Sequence, residues 1–114
     1  MRELTVGQNL TAGSSNTVYT VPKGCKAIAT MLMLSNAGGS SKSVAAQWFN
    51  HSDSTSVTIV GGKSVGAGDY LLFTQGRMVM DEYDELRVTP EAASSFSVIF
   101  TVEIHQNTSY QNGS

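Results

Sequence analysis

The chain has 114 residues, of which 40% are hydrophobic and 14% are charged, and its formal net charge is −2. A chain of this length buries roughly 65% of its unfolded surface in one core, so it needs no metal or disulfide to fold. Its 7 Lys and Arg residues form no cluster, which excludes the basic patch that nucleic acid or an anionic membrane would require. With no apolar stretch near the roughly 20 residues of a membrane span and no signal peptide, the sequence predicts a protein made in a cytoplasm.

Short apolar runs that alternate with polar residues, each closed by Gly, Ser, Asn or Asp, predict an all-β domain of about eight strands. The predicted strands of the N-terminal half span residues 3–6, 17–21, 27–35 and 44–49. A turn at residues 22–24 places Cys25 at the start of the third strand. Because Cys25 is the only cysteine, an internal disulfide is excluded, and we expect a structural thiol.

The third predicted strand has apolar side chains at both parities, whereas a strand with one solvated face needs them only at every second position. The two sets are Ile28, Leu32 and Leu34 on one face, and Ala27, Ala29, Met31 and Met33 on the other. The strand is therefore expected to be covered on both faces. Either a neighbouring subunit or a loop of the same chain supplies the second cover.

The adjacent aromatic residues Trp48 and Phe49 are expected to point to opposite faces of the fourth strand. Because a tryptophan in a β-sandwich usually packs in the core, Trp48 is expected to be a core residue rather than a ligand platform. One of the two rings remains available to a partner.

The C-terminal half contains the clearest alternation, with apolar residues at every second position from Phe96 to Ile104. Its predicted strands span residues 56–60, 70–73, 77–80, 86–89 and 96–104. Together the strands predict a single antiparallel β-sandwich, jelly-roll-like, over residues 1–104. The polar tail 105–114 holds Tyr110 without an apolar partner and is expected to be ordered only by a bound partner.

Assembled catalytic chemistry is missing from the pattern. Residues 61–64, Gly-Gly-Lys-Ser, end like a phosphate-binding loop but lack the leading glycine and the following helix. The two histidines, His51 and His105, have no carboxylate or thiol at ligand spacing. The acidic turn 81–85 is typical of a solvated hairpin end that repels edge-to-edge pairing. We therefore expect no enzyme activity, no metal and no cofactor.

Several turn motifs carry a resemblance to a known class of proteins. From Val18 the chain runs Val-Tyr-Thr-Val-Pro-Lys-Gly, and later segments run Gly-Ala-Gly-Asp-Tyr-Leu from Gly66 and Tyr-Asp-Glu-Leu-Arg-Val from Tyr83. This order resembles small β-sandwich proteins of tailed-bacteriophage virions, in which a Val-Pro-x-Gly turn opens the sheet and Gly-Asp turns introduce two later strands. The likeness covers about residues 18–104. A glycine usually stands at the position of Tyr83, so a wider turn is expected here.

The resemblance implies a non-enzymatic virion protein, assembled in the host cytoplasm. In its leading form this is a capsid decoration or cement protein that binds the major capsid protein, or another virion protein, as a small homo-oligomer such as a trimer. Exposed edges at the first and last strands would pair with a neighbour. The expected contact residues are Met31, Met33, Trp48, Phe49 and Tyr110.

Two alternatives stay open. Within the same class, the protein is a neck or tail-fibre component. From a different class, it is a glycan-binding module in which Trp48, Tyr70 or Tyr83 stacks on a sugar ring. The second alternative requires an exposed ring in a polar groove, whereas a cement protein buries its rings.

Overall fold

The computed structural model describes residues 2–74 and 77–106, and within these residues the chain forms strands and turns but no helix. The all-β class predicted from the alternation is confirmed. The strands of the described residues are β1 (Arg2–Asn9), β2 (Asn16–Thr20), β3 (Cys25–Asn36), β4 (Lys42–Asn50), β5 (Thr55–Val65), β6 (Tyr70–Phe73), β7 (Met78–Met80), β8 (Glu85–Pro90) and β9 (Phe96–Gln106).

In the described part of the chain these strands form two antiparallel sheets. Sheet 1 has the order β1-β9-β3, and β6 and β7 pair one after the other with the remaining edge of β3. Sheet 2 has the order β2-β8-β4-β5. Because β6 and β7 share one strand position, each sheet has four positions, and the chain crosses between the sheets in the order of a jelly roll. The predicted jelly-roll-like sandwich is confirmed.

The core lies between the inner faces of the two sheets. From sheet 1, β9 contributes Phe100 and Val102, which are 1% and 0% exposed. From sheet 2, β8 contributes Leu86 and Val88, both fully buried. Because successive side chains of a strand point to opposite faces, Ile99 between Val98 and Phe100 faces outward, where it is 36% exposed.

Most strands are longer than predicted, and β1 continues past residue 6 to Asn9. Strand β5 continues beyond residue 60 as far as Val65. Gly62 adopts φ 75° and the β4–β5 register shifts beside it, and the pairing with β4 resumes after this bulge. Strand β9 includes His105 and Gln106. The rest of the predicted tail, including Tyr110, lies outside the described residues.

Two turns before Asp residues have the same backbone form. In each, the amide of the Asp donates to the carbonyl three residues earlier, at 3.0 Å for both Asp69 and Asp84. The residue before the Asp is left-handed, with φ 72° at Gly68 and 69° at Tyr83. The wider turn expected at Tyr83 is therefore wrong, because an L-residue adopts the glycine conformation there at a cost of about 1–2 kcal/mol.

Candidate interaction surface

The outer face of sheet 1 carries a continuous set of apolar side chains. Met33 pairs with Ile99 of β9 on one side and with Leu72 of β6 on the other. Directly opposed residues of antiparallel strands point to the same face, so the three side chains form one row. Ile28 and Val79 form a second apolar row, and Met31 lies between the two rows. We call Ile28, Met31, Met33, Leu72, Val79 and Ile99 the apolar face.

These side chains are exposed to an unusual degree for their chemistry. Leu72 is 47% exposed and Val79 is 50% exposed, and Tyr70 at the end of the face reaches 54%. Met31 and Met33 are half-buried. Among the described residues, no loop of this chain covers the face.

A register shift in β3 determines which residues form this face. The pairing with β9 shifts between Ala29 and Met31, so residues on the two sides of the shift no longer share parity. Ala27 faces the core and is fully buried, whereas Ile28 faces outward with the methionines. The predicted grouping of Ile28 with the inward leucines, and of Ala27 with the methionines, is wrong for this reason.

The outer face of sheet 2 has the opposite chemistry. Here Arg87 lies over the ring of Phe49, 4.0 Å from its centroid, and its Nε is 2.8 Å from Oε1 of Glu85. Gln47 and Thr58, paired side by side, continue the polar surface toward the β5 edge. Among the described residues, the outer face of sheet 1 is therefore the more apolar of the two outer faces.

Charged groups border the apolar face at one end. Glu103 lies in the row of Ile28. Its Oε1 is 3.5 Å from a guanidinium nitrogen of Arg77 and 3.6 Å from Nε2 of His105. No carboxylate was expected at ligand spacing to either histidine, whereas the partner of His105 stands two residues earlier on the same strand. The opposite end, with Tyr70, Ser35 and Ser97, is rich in hydroxyl groups.

The strand edges differ from the expectation at one end of the chain. Strand β9 lies between β1 and β3, so the predicted exposed edge of the last strand is wrong. Among the described strands, β1 has one paired edge.

An apolar pocket of about 260 Å³ lies beside β3, between the end of β6 and the start of β7, and is lined in part by Leu32, Ile59 and Phe73.

The acidic turn before β8 is not a solvated hairpin end at Asp84, which is 1% exposed. Its carboxylate accepts three hydrogen bonds, from the indole N–H of Trp48 at 3.1 Å and from the backbone N–H groups of His51 and Asp81 at 2.9 Å. Burial of a carboxylate is tolerated because these donors replace water. The prediction of a solvated turn is wrong for Asp84, because two of the donors come from the β4–β5 hairpin, which is distant in sequence.

The five expected contact residues lie in separate places. Met31 and Met33 are together on the apolar face, and Phe49 is on the polar outer face of sheet 2. Trp48 packs against the core and uses its N–H on Asp84, so the two aromatic residues do point to opposite faces. Tyr110 lies outside the described residues. The sequence did not single out Leu72, Val79 and Ile99, whose contribution depends on long-range pairing.

The described residues were also compared with the requirements of a metal site and of a membrane-spanning helix. No group of three or more His, Cys, Asp or Glu side chains in residues 2–74 and 77–106 is placed to hold a metal ion. Likewise, those residues include no helix long and apolar enough to cross a membrane. His51 instead packs edge-on against Tyr83, with ring centroids 5.2 Å apart.

The fold is similar to that of two structures that are parts of assemblies. A chain from Bacillus endospore appendages, described as a family of disulfide-linked pili, is 11% identical with a TM-score of 0.54, over 92% of this chain and 85% of the other. A chain of the T13 viral particle of infectious bursal disease virus is 10% identical with a TM-score of 0.58, over 96% of this chain. This chain spans only 32% of that viral chain. No protein-family model and no curated protein matches the chain. At such identities the likeness shows the fold alone.

Proposed function

We propose that this protein is a non-enzymatic structural component of a virion, in the first instance a capsid decoration protein that binds the shell as a small homo-oligomer. The observation that carries the proposal is the apolar face, which the described residues of the chain leave uncovered. Monomeric proteins rarely expose contiguous apolar patches larger than a few hundred Å². A face of this kind is typical of a protein whose working state is an assembly.

The similar structures support an assembly role. One belongs to a pilus and the other to a viral particle, and both have a fold similar to that of this chain. The turn motifs at Gly66 and Tyr83 add the resemblance to tailed-bacteriophage virion proteins. Neither similar structure is described as a bacteriophage protein, so the phage assignment is part of the proposal.

The proposed mechanism is mechanical. Many weak contacts, repeated by the symmetry of a shell, hold neighbouring capsomers together with an avidity that no single contact supplies. Each contact then needs only about 800 Å² of surface from each partner. The one buried carboxylate of the described residues, Asp84, is occupied by structural hydrogen bonds, which agrees with a role without catalysis.

The proposal is tested by locating the protein on particles. Antibodies against the purified chain are applied to gradient-purified particles from its source, and gold label is imaged by electron microscopy. Label at regular intervals over the shell is expected. Label confined to the neck or tail would favour the neck or tail-fibre alternative, and particles without label would contradict a virion role.

A separate measurement addresses the glycan-binding alternative. Trp48 is not available as a sugar platform, because its ring packs on the core, whereas Tyr70 and Tyr83 are exposed. A glycan array should therefore be negative for the wild-type chain. A positive signal that is lost in Tyr70→Ala or Tyr83→Ala would contradict the structural role.

A further inference from the structure

We infer that a second copy of this chain covers the apolar face, with the two sheet 1 faces packed together about a two-fold axis perpendicular to their strands. The dimer rests on the proposed function, which already includes self-association. It specifies in addition which residues form the contact and which symmetry relates the two copies. A two-fold contact closes with two copies, in place of the trimer that the resemblance implies.

The chemistry of the face changes along the strands. One end is a hydroxyl row with Tyr70, Ser35 and Ser97, and the other end is a charged row in which Glu103 follows Val79 and Ile28. The methionines, Leu72 and Ile99 lie in the middle, together with Thr101, which pairs with Met31.

The chemistry also changes across the strands. The apolar side chains lie on β3, β6 and β7, with Ile99 from β9, whereas the opposite edge of the face, on β1, presents Thr5, Gly7 and Asn9. The face is therefore asymmetric in both directions. Only some ways of stacking two copies match like with like.

A two-fold axis parallel to the strands gives a poor match. It places β6 and β7 over β1 of the other copy and keeps the charged rows in register. Glu103 would then lie over Ile28, and Glu3 over Val79. Carboxylates buried against apolar side chains lose their hydration without compensation, so this arrangement is unfavourable.

An axis perpendicular to the strands gives a better match, both along the strands and across them. It places β3 over β3 and β6 over β7, so Met31 meets Met33 of the partner subunit and Tyr70 meets Val79 of the partner subunit. The charged row then lies over the hydroxyl row, where the carboxylate of Glu103 faces a serine hydroxyl that donates a hydrogen bond. The flexible thioethers of Met31 and Met33 fill the irregular space at the centre.

The size of the face suits such a contact. The whole outer face of sheet 1, with four strand positions about 4.8 Å apart and four rows about 6.8 Å apart, measures roughly 500 Å² in projection. The accessible area of a corrugated sheet exceeds its projection, which brings the face toward the about 800 Å² per partner of a standard interface.

The first test is the mass of the purified chain by sedimentation velocity. The wild type should be a dimer, and Met33→Asp should raise the dimer dissociation constant by at least about 100-fold, because two carboxylates would be buried near the axis. Thr58→Asp, on the polar outer face of sheet 2, is the matched control and should remain dimeric. A monomeric or trimeric wild type, or a dimeric Met33→Asp variant, would overturn the inference.

The second test fixes the symmetry and does not depend on the folding of Met33→Asp. Tyr70→Cys and Val79→Cys are made separately in a Cys25→Ala background and treated with a bismaleimide of about 10 Å, the spacing of stacked sheets. A mixture of the two variants should cross-link, because position 70 of one copy lies over position 79 of the other. Tyr70→Cys alone should not, since its two copies lie about 20 Å apart along the strands. Cross-linking of Tyr70→Cys with itself would overturn the two-fold arrangement.

The outcomes separate this contact from the proposed function. A monomeric chain that decorates particles would overturn the dimer and leave the virion role intact. If the expected cross-links form but the antibodies label no particle, the virion role is overturned and the dimer stands.

Discussion

The indole N–H of Trp48 donates to Oδ2 of Asp84 across 3.1 Å, and this bond joins the β4–β5 hairpin to the turn that begins β8. The same carboxylate accepts the backbone N–H of His51 from the hairpin loop and that of Asp81 from its own turn. The backbone of Asp84 continues the connection, because its carbonyl accepts the N–H of Val21 at 2.9 Å. Asp84 thus holds three loops at one end of the sandwich, two through its side chain and one through its backbone carbonyl.

Replacing Asp84 with Ala should lower the free energy of unfolding by about 3 kcal/mol, because it leaves buried donors without an acceptor. Urea denaturation followed by the fluorescence of Trp48, the only tryptophan, measures the change. The exposed Asp81 side chain provides the control, and Asp81→Ala should change stability by no more than about 0.5 kcal/mol. Equal losses in both variants would contradict the role assigned to Asp84.

Tyr83→Gly should raise the free energy of unfolding by about 0.5–1 kcal/mol, because glycine adopts a φ of 69° without the steric penalty of a Cβ. Both variants lose the contact with the His51 ring, but Tyr83→Ala also keeps the steric penalty, so it should be destabilising. Thermal unfolding of the three proteins gives the ranking. A glycine variant less stable than the alanine variant would show that the backbone is not strained at this position.

Glu91 should contribute to the acid sensitivity of the fold. A hydrogen bond from the backbone N–H of Ser43 holds the pKa of Glu91 below its ordinary 4.5, with Lys42 and the Ser43 hydroxyl adding to the effect and partial desolvation opposing it. Because the folded-state pKa is the lower one, the stabilisation is complete above the unfolded value and is lost as the pH falls through the folded value. The stability gap between wild type and Glu91→Gln, measured by urea denaturation from about pH 6 to about pH 3, should therefore narrow on acidification. A gap independent of pH would contradict this.

Phe49→Ser should weaken the fold without affecting association. The ring supports Arg87 on the outer face of sheet 2, and an exposed cation–π contact of this kind contributes about 0.5–1 kcal/mol. A loss of about 1 kcal/mol in urea, with an unchanged sedimentation coefficient, is expected. Dissociation in this variant would instead place Phe49 in the subunit contact, as the sequence suggested.

The sequence predicted the sandwich because alternation is a local property of each strand. Phe96 to Ile104 shows the reason, since five inward positions alternate with mainly polar ones and the same residues form the core strand β9. The position of β9 between β1 and β3 was missed, because strand order depends on pairing between residues almost a hundred positions apart.

The candidate surface was predicted only in part. The doubly apolar pattern of β3 correctly indicated outward apolar residues, but the shift between Ala29 and Met31 reversed the parity of those before it. Nothing in the alternation marks a bulge of that kind. Leu72 and Val79 belong to short strands whose outward direction is known only from their partners Met33 and Ile28.

The split of one strand position into β6 and β7 limits the pairing that this edge of sheet 1 offers to the strand of another molecule. An edge made of a four-residue and a three-residue strand presents too few consecutive unpaired amides to template the strand of a neighbour. Polymerisation by sheet extension is therefore blocked on the side of the molecule where the apolar residues are concentrated. An association on this side would therefore be directed through side chains rather than backbone.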